Sequence, residues 1–447
     1  METRVHESRT PHRSHVFRWP KEGDGYRPLA SLDPLDQIIY RSLVGRMVVP
    51  VTANLDPDGV LSSRIRAHPP AWEFEPWGIP IAERRGRGLE LIGRHPILGL
   101  IDIQNFYPSV KLATLAETLA SLPIDEPTTS YTVSWIGELQ EVSGVTGIPT
   151  GHDPSRILGD AVLIPCDTAL MGSGHPYMRY VDDTWFFVDT EEQYETVIRA
   201  YENIASGLGL ILHPTKTRAL SGLDALNEIQ RMAIAYFGDV LNDPGPDGHR
   251  AGLQLFEESL ENPVRNKSEL RRALRTLTNH RSPYPLEILQ ANQGLLRVAP
   301  LQWVKYLSAL VDAKKTRQLL DDDWVLEQIT QEVTKETGYR NLLFIQVGAR
   351  MKLDKQRGTT VFELATCDGP WNGPLRVWGA YAWGRSGAFK PNKAVEQFEA
   401  HGDYATRRAF AMTLDRERSN PKLPRWTREI RVTHSDFEPT ACWLEAA

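Results

Sequence analysis

Apolar positions recur with a helical period over residues 34–49, where Ile38, Ile39, Leu43 and Met47 share one face. Residues 97–103 (ILGLIDI) form a continuous apolar run, short enough to predict a buried strand, and a helix-compatible stretch follows over 110–122. Asp153 and Pro154 read as an N-cap carboxylate with proline at the first helical position. The helix they open should run toward Met171, kinked or shortened at Pro165. Residues 177–188 (YMRYVDDTWFFV) are two aromatic and β-branched runs around Asp182 and Asp183, a hairpin signal. Thr190 and Gln193 make a capping box. Tyr194, Val197, Ile198, Tyr201, Ile204 and Leu208 follow at helical spacing, Gly207 and Gly209 end that helix, and 210–212 begin another strand.

Strand, helix, hairpin, helix and strand in that order predict an α+β fold, an antiparallel sheet with helices on one face. Beyond Asp243 and Asp247, which flank Pro-Gly-Pro, the character changes. Helical patterns cover 267–278, 285–297, 300–313, 322–336 and 375–385 without a strict repeat, so stacked helical hairpins are expected from 251 to 415. Trp303, Trp324, Trp371, Trp378 and Trp383 are assigned to the core there. The divisions expected are 1–100, 101–240 and 241–447.

With 447 residues, 41% hydrophobic and 24% charged, the chain is neither largely disordered nor fibrous. No run approaches the roughly 18 apolar residues of a membrane helix. Arg4, Arg9, Arg13 and Arg18 occur without an apolar run, so no secretory leader is expected. Cys166, Cys367 and Cys442 form no CxxC pair, which suits a reducing cytoplasm. The net charge of −6 is unevenly spread. Residues 1–100 carry 14 basic and 12 acidic side chains, 101–240 carry 7 and 19, and 241–447 carry 30 and 26. An acidic middle between basic flanks suits either plain soluble surface or a metal site whose polyanionic substrate is gripped from both sides.

Asp102 ends the apolar strand, and Asp182 with Asp183 occupies the hairpin tip. If the two strands are neighbours, three carboxylates converge on one sheet edge. Adjacent carboxylates repel unless a cation lies between them, and carboxylates with substrate phosphates suit Mg²⁺. Alone, an Asp-Asp turn is most often a solvated hairpin tip.

Five segments in order change that. RYVDD at 179–183 resembles the YxDD signature of reverse transcriptases, and DIQNFYPSV at 102–110 their preceding aspartate motif. GIPTGHDPSR at 147–156 is similar to the Gly-rich turn and helix between them. LGLILHPTKT at 208–217 is similar to the following lysine motif, and WPKEGDGYRPL at 19–29 to the finger segment of intron-type enzymes. Asp182 stands 80 residues after Asp102, and Lys216 another 34 on. The resemblance covers roughly 15–240 and implies a right-hand polymerase: fingers over 1–100, a catalytic palm over 101–240, and a helical, thumb-like domain over 241–447.

The same resemblance implies roles. Asp102, Asp182 and Asp183 are the metal and catalytic carboxylates for two Mg²⁺ ions, with Mn²⁺ as the alternative. Asp183 could equally be only a turn-former. Lys216 protonates the departing pyrophosphate or merely neutralises it. Lys21 and Arg27 grip the dNTP triphosphate, unless they are a solvated charge run. Tyr107 sits under the nucleotide sugar and excludes a 2′-OH, unless it rather than Phe106 is the core aromatic. Thr150 and Gly151 line the incoming base pair. Arg64 and Arg66 are nucleic-acid contacts, at least one of which faces solvent. Arg271 and Arg275, four apart on a helix bearing further cations, form either a nucleic-acid groove or a solvated face. Tyr236, Phe237 and Gly238 are a candidate primer-holding hairpin.

Thr150 stands where many templated enzymes carry Gln, and the run 152–156 departs from the usual Ser-Pro-Leu-Ser type. This variant resembles the bacterial defence-associated, abortive-infection reverse transcriptases of the unknown-group family, whose core is followed by helical repeats. The resemblance implies anti-phage RNA-directed DNA synthesis, with an RNA template, of which a dedicated non-coding RNA is one form, a DNA product, dNTPs and no membrane. A homo-oligomer through the helical domain is compatible with it. Two rivals are template-independent synthesis primed by a protein hydroxyl, and a non-catalytic RNA-binding scaffold.

Overall fold

The computed structural model describes residues 10–12, 14–20, 25–67, 72–76, 78–231, 241–313, 315–334, 338–367, 373–401, 403–417 and 419–433. The chain forms two compact units, one of residues 1–14 and 34–235, the other of 15–33 and 236–447.

An antiparallel hairpin, β1 (His15–Pro20) and β2 (Tyr26–Ser31), belongs to the second unit. The first unit contains α1 (Pro34–Gly45), α2 (Val48–Thr52), a small ribbon of β3 (Ile65–Ala67) with β4 (Glu73–Phe74), and α3 (Gly78–Ile92). Then come β5 (Ile97–Ile101), α4 (Phe106–Ser109), α5 (Leu112–Ala120), α6 (Glu126–Ser143) and α7 (Asp153–Gly172). The hairpin β6 (Tyr177–Tyr180) and β7 (Asp183–Val188), α8 (Glu191–Gly207), β8 (Arg218–Ser221) and α9 (Gly222–Arg231) complete it.

The central sheet is antiparallel, in the order β6-β7-β5-β8. Period-two alternation sorts its side chains. Leu98, Leu100, Met178, Trp185 and Phe187 pack with Ala225 and Ile229 of α9, and Gly88 of α3 lies against Trp185. Phe186 points to the opposite side, where Tyr194 of α8 stacks on it at 5.6 Å. Both faces are therefore covered, one by α7 and α8, the other by α3 and α9. Gly99 pairs with Phe186, and a Cβ there would come within 2.2 Å of the ring, so only glycine fits.

Three expectations are corrected. Pro165 does not shorten its helix, which reaches Gly172 as the expected run toward Met171 required, with buried side chains before and after the proline. Its N-cap is His152, so Asp153 is already helical and caps nothing. Residues 210–212 contribute only an isolated bridge, Ile103 to Leu212, and the strand itself is β8. The Thr190–Gln193 capping box is present as read.

The second unit is helical, with α10 (Pro246–Leu260), α11 (Lys267–Asn279) and further helices at Tyr284–Ala291, Leu295–Val298, Pro300–Asp312, Asp322–Thr330, Gly338–Met351, Lys355–Thr366, Gly373–Gly384, Pro391–Ala400, Tyr404–Met412 and Leu423–Thr433. Trp303 is fully buried against Phe256 and Tyr306, and Trp383 is buried in a second cluster with Phe398, Phe410 and Leu414. Trp324 and Trp378 pack partly buried on the larger cluster, and Trp371 lies outside the described residues. Phe17 and Trp19 of β1 join that cluster, with Trp19 edge-on to Tyr339. Among the described residues no helix is long and apolar enough to cross a membrane.

Candidate active site

Ile101 pairs with Thr184 across β5 and β7. The next residues along, Asp102 and Asp183, therefore lie at the same end of the sheet, beside the β6–β7 turn that carries Asp182. The backbone beyond Asp102 is held by a facing loop. Asp102 N–H donates to the Thr217 hydroxyl at 3.4 Å, and His213 N–H donates to the Asp102 carbonyl at 2.7 Å. That loop brings Lys216 Nζ to 3.0 Å from Asp102 Oδ2. Lys216 is 61% exposed and Asp102 20%, so a cation can replace this contact at little cost.

The hairpin turn is Val181-Asp182, with Tyr180 paired to Asp183. Val181 has φ of 60°, the left-handed region, which costs a β-branched residue on the order of 1–3 kcal/mol. Arg179 holds it there. Its Nη1 donates to the Val181 carbonyl at 2.7 Å and to Asp160 at 2.6 Å, while Nε and Nη2 meet both oxygens of Asp167 at 2.7 and 2.6 Å. Arg179, Asp160 and Asp167 are all buried, and Ser62 and Ser63 also donate to Asp160. Burial works against the guanidinium's charge, but the two aspartates outweigh it and hold its pKa well above the ordinary value. The turn is thus tied to α7 by a fully partnered ionic knot.

Asp183 has a different partner. Arg84 of α3, completely buried, donates to its two carboxylate oxygens at 3.0 and 3.1 Å and to its carbonyl at 3.1 Å. The guanidinium also lies over the Trp185 ring at 4.0 Å. Asp102, Asp182 and Asp183 do not gather within 4.8 Å of one another as a trio. The three carboxylates share one sheet end, as expected for neighbouring strands, and the third of them is held by Arg84.

Tyr107 is half-buried on α4 beside the core residue Phe106, whose ring centroid lies 5.2 Å away. Burial, with Asp160 and Asp182 nearby, pushes its hydroxyl far above the usual range, so the phenol is neutral. Its carbonyl accepts from Ile148 N–H at 2.9 Å, which fixes the turn before α7. A Cβ on Gly147 (φ 62°) would strike that carbonyl at 2.1 Å. Thr150 is buried in this turn, and Gly151 is exposed with φ of 104°. Arg156, in the first turn of α7, stacks over Phe74 at 4.0 Å and Tyr180 at 5.7 Å.

Arg64 is engaged by Glu83, whose hydrogen bonds raise its pKa and lower that of Glu83. Arg66 is exposed. Arg27 is exposed on β2 and Arg271 and Arg275 are exposed on α11, all in the second unit. Lys21 and the candidate primer hairpin Tyr236, Phe237 and Gly238 lie outside the described residues. Cys166 is buried, its thiol pushed up to about 12 by burial, and Cys367 is exposed. Sequence reading missed Arg84 and Arg179. For Arg179 a signal existed: two aspartates seven apart inside an otherwise apolar helix need a buried cation. For Arg84, one of three arginines in ERRGR, the sequence holds none.

A family model of reverse transcriptase (RNA-dependent DNA polymerase) matches residues 19–247, just over half of the chain. Among solved structures, the telomerase of Candida tropicalis, in complex with a TWJ fragment of telomeric RNA, is 12% identical with a TM-score of 0.35, over 83% of this chain and 64% of that one. An RdRp complex is 10% identical with a TM-score of 0.33, over 90% of this chain and 42% of that one. The chain thus spans less than two thirds of either structure's chain. No curated protein matches it.

Proposed function

The chain belongs to the reverse transcriptase family, and from that premise we propose that it makes DNA from dNTPs on an RNA template. The observation that carries the reading is the sheet order, with Asp102 and the Asp182 turn at one end of neighbouring strands and Lys216 on Asp102.

A divalent cation fits the donor set: hard carboxylate oxygens, one of them now balanced only by an exposed lysine. Asp102 and Asp182 would hold it, in the two-ion form expected for Mg²⁺, with Mn²⁺ as substitute. When bound, the ions lower the pKa of the attacking hydroxyl and neutralise charge on the α-phosphate and the leaving pyrophosphate. Lys216, released from Asp102, neutralises or protonates that pyrophosphate. The neutral Tyr107 ring supports the sugar and rejects a 2′-OH. Thr150 and Gly151 face the nascent pair, the positive φ of Gly151 letting backbone approach it. Arg27 and Lys21 grip the triphosphate. Arg64, Arg66, Arg271 and Arg275 contact nucleic-acid phosphates, Arg64 from its present pair with Glu83. In our reading the biological role is anti-phage defence, with a non-coding RNA as template, resting on the 147–156 variant.

A second reading is template-independent, protein-primed synthesis. Thr150 favours it, since it is buried and shorter than the Gln it replaces. One experiment tests both. The purified protein, with its co-purifying nucleic acid, receives Mg²⁺ and four dNTPs beside an Asp182→Ala control, and the product is sequenced. DNA complementary to one RNA supports templated synthesis. RNase-resistant DNA that partitions with protein in phenol supports the second reading. Product equal to that of the control overturns both.

A further inference from the structure

We propose that Asp183 is not a metal ligand but the anchor of Arg84, and that Arg84 is a positioning residue that fixes the tip of the catalytic hairpin on α3. The inference deepens the reading above and rests on it for the identity of the metal carboxylates.

Arg84 has no exposed surface, and its Nε is buried without a partner. Its charge is balanced through Asp183, which gives it both carboxylate oxygens and the backbone carbonyl. A buried guanidinium stripped of its carboxylate is a large liability, greater than the net worth of the pair while intact. Turning Asp183 toward a cation would strand Arg84. The fixed positive charge about 3 Å from both oxygens also neutralises the carboxylate and repels a second cation. Asp102 differs: its lysine is exposed and leaves freely.

The clasp has the geometry of a positioning device. The guanidinium lies between Asp183 and the Trp185 ring two residues on, so it grips the start of β7 from one side. One helical turn beyond Arg84, Gly88 lets α3 close onto Trp185, since a Cβ there would lie 3.1 Å from the ring. From the opposite face Arg179 grips Val181. Asp182 lies between residues fixed by two arginines from two directions, on a backbone whose left-handed Val181 would otherwise relax. The clasp is what aims Asp182.

The test is Mn²⁺ binding, followed by electron paramagnetic resonance, together with thermal midpoints. The proteins compared are the full chain and its Asp182→Asn, Asp183→Asn, Arg84→Met and Arg84→Met/Asp183→Asn variants. We expect Asp183→Asn to leave Mn²⁺ affinity within about twofold while lowering the midpoint, and Asp182→Asn to weaken Mn²⁺ at least tenfold with little change in midpoint. The double variant, which leaves no stranded guanidinium, should be more stable than Asp183→Asn alone. Both single variants at the clasp should lower the rate of DNA synthesis at saturating Mn²⁺ and dNTP. Equal loss of Mn²⁺ affinity in the Asp182→Asn and Asp183→Asn proteins would overturn the proposal, as would additive midpoint losses at 84 and 183. If the unsubstituted protein binds no Mn²⁺, the two-metal reading fails instead, and the coupling of the midpoints alone decides the clasp.

Discussion

The β6–β7 hairpin turn and the core of the helical unit are fixed by different forces. At the turn the half-buried backbone is held by charge: Arg179 with Asp160 and Asp167, and Arg84 with Asp183. Around Trp303 it is set by shape, with Phe256 and Tyr306 edge-on at 6.2 and 5.9 Å and leucines filling the rest. Apolar packing tolerates small readjustments, because dispersion and burial are not directional. A partnered ion pair does not, since any shift exposes an unbalanced charge to a low dielectric. A site that must present a carboxylate on a strained turn is therefore framed by ions, while a scaffold is filled with rings.

The largest effect should come from the carboxylate being framed. Asp182→Ala is expected to lower DNA synthesis about a thousandfold or more, with circular dichroism and the thermal midpoint nearly unchanged. A matching collapse of the fold would mean that the turn is structural rather than chemical.

The next pair sets charge directly against shape. Arg179→Met leaves Asp160 and Asp167 buried and unbalanced, at about 3–5 kcal/mol. Trp303→Ala opens a cavity, also at about 3–5 kcal/mol. Their pH dependence should part them. Without its arginine, a buried carboxylate has a folded-state pKa above its unfolded value. It destabilises the fold above that pKa and ceases to as pH falls and it protonates. Asp167, deeply buried, is already pushed upward by burial. The Arg179→Met deficit should thus shrink between neutral pH and pH 5 in denaturant titrations, while the Trp303→Ala deficit stays constant. Parallel curves would remove the distinction drawn here.

Tyr107→Val keeps Phe106 in the core and opens the half-buried position beside it. Ribonucleotide incorporation relative to deoxyribonucleotide should rise by about 10-fold to 100-fold in single-nucleotide extension assays. An unchanged ratio would return Tyr107 to a packing role. The smallest expected change is in stability on Lys216→Met. Its exposed pair with Asp102 is worth about 0–1 kcal/mol, and the midpoint difference should vanish in high salt.

Legibility followed the range of the interaction. The Asp182–Asp183 hairpin, the capping box and the succession of C-terminal helices are local, and their residues declare them. The helix toward Met171 was legible, and Pro165 does not shorten it because a tertiary effect overrides a local rule: α7 is buried along much of its length, and its packing outweighs one missing backbone bond. Residues 210–212 misled because a three-residue apolar run cannot say whether its neighbour offers a ladder or a single bridge.

By itself the sequence determined which carboxylates exist, their order along the chain, and that two of them stand together at a hairpin, because turn residues and alternation act over a few positions. The kind of chemistry was legible only through the resemblance of five ordered segments to the reverse transcriptases. The tertiary structure alone decided what each carboxylate faces. Asp102 meets an exposed lysine 114 residues away and Asp183 a buried arginine 99 residues away. Nothing local distinguishes Arg84 from its neighbour Arg85. Only the packing of α3 on Trp185 makes one of them the counter-charge at the centre of the site.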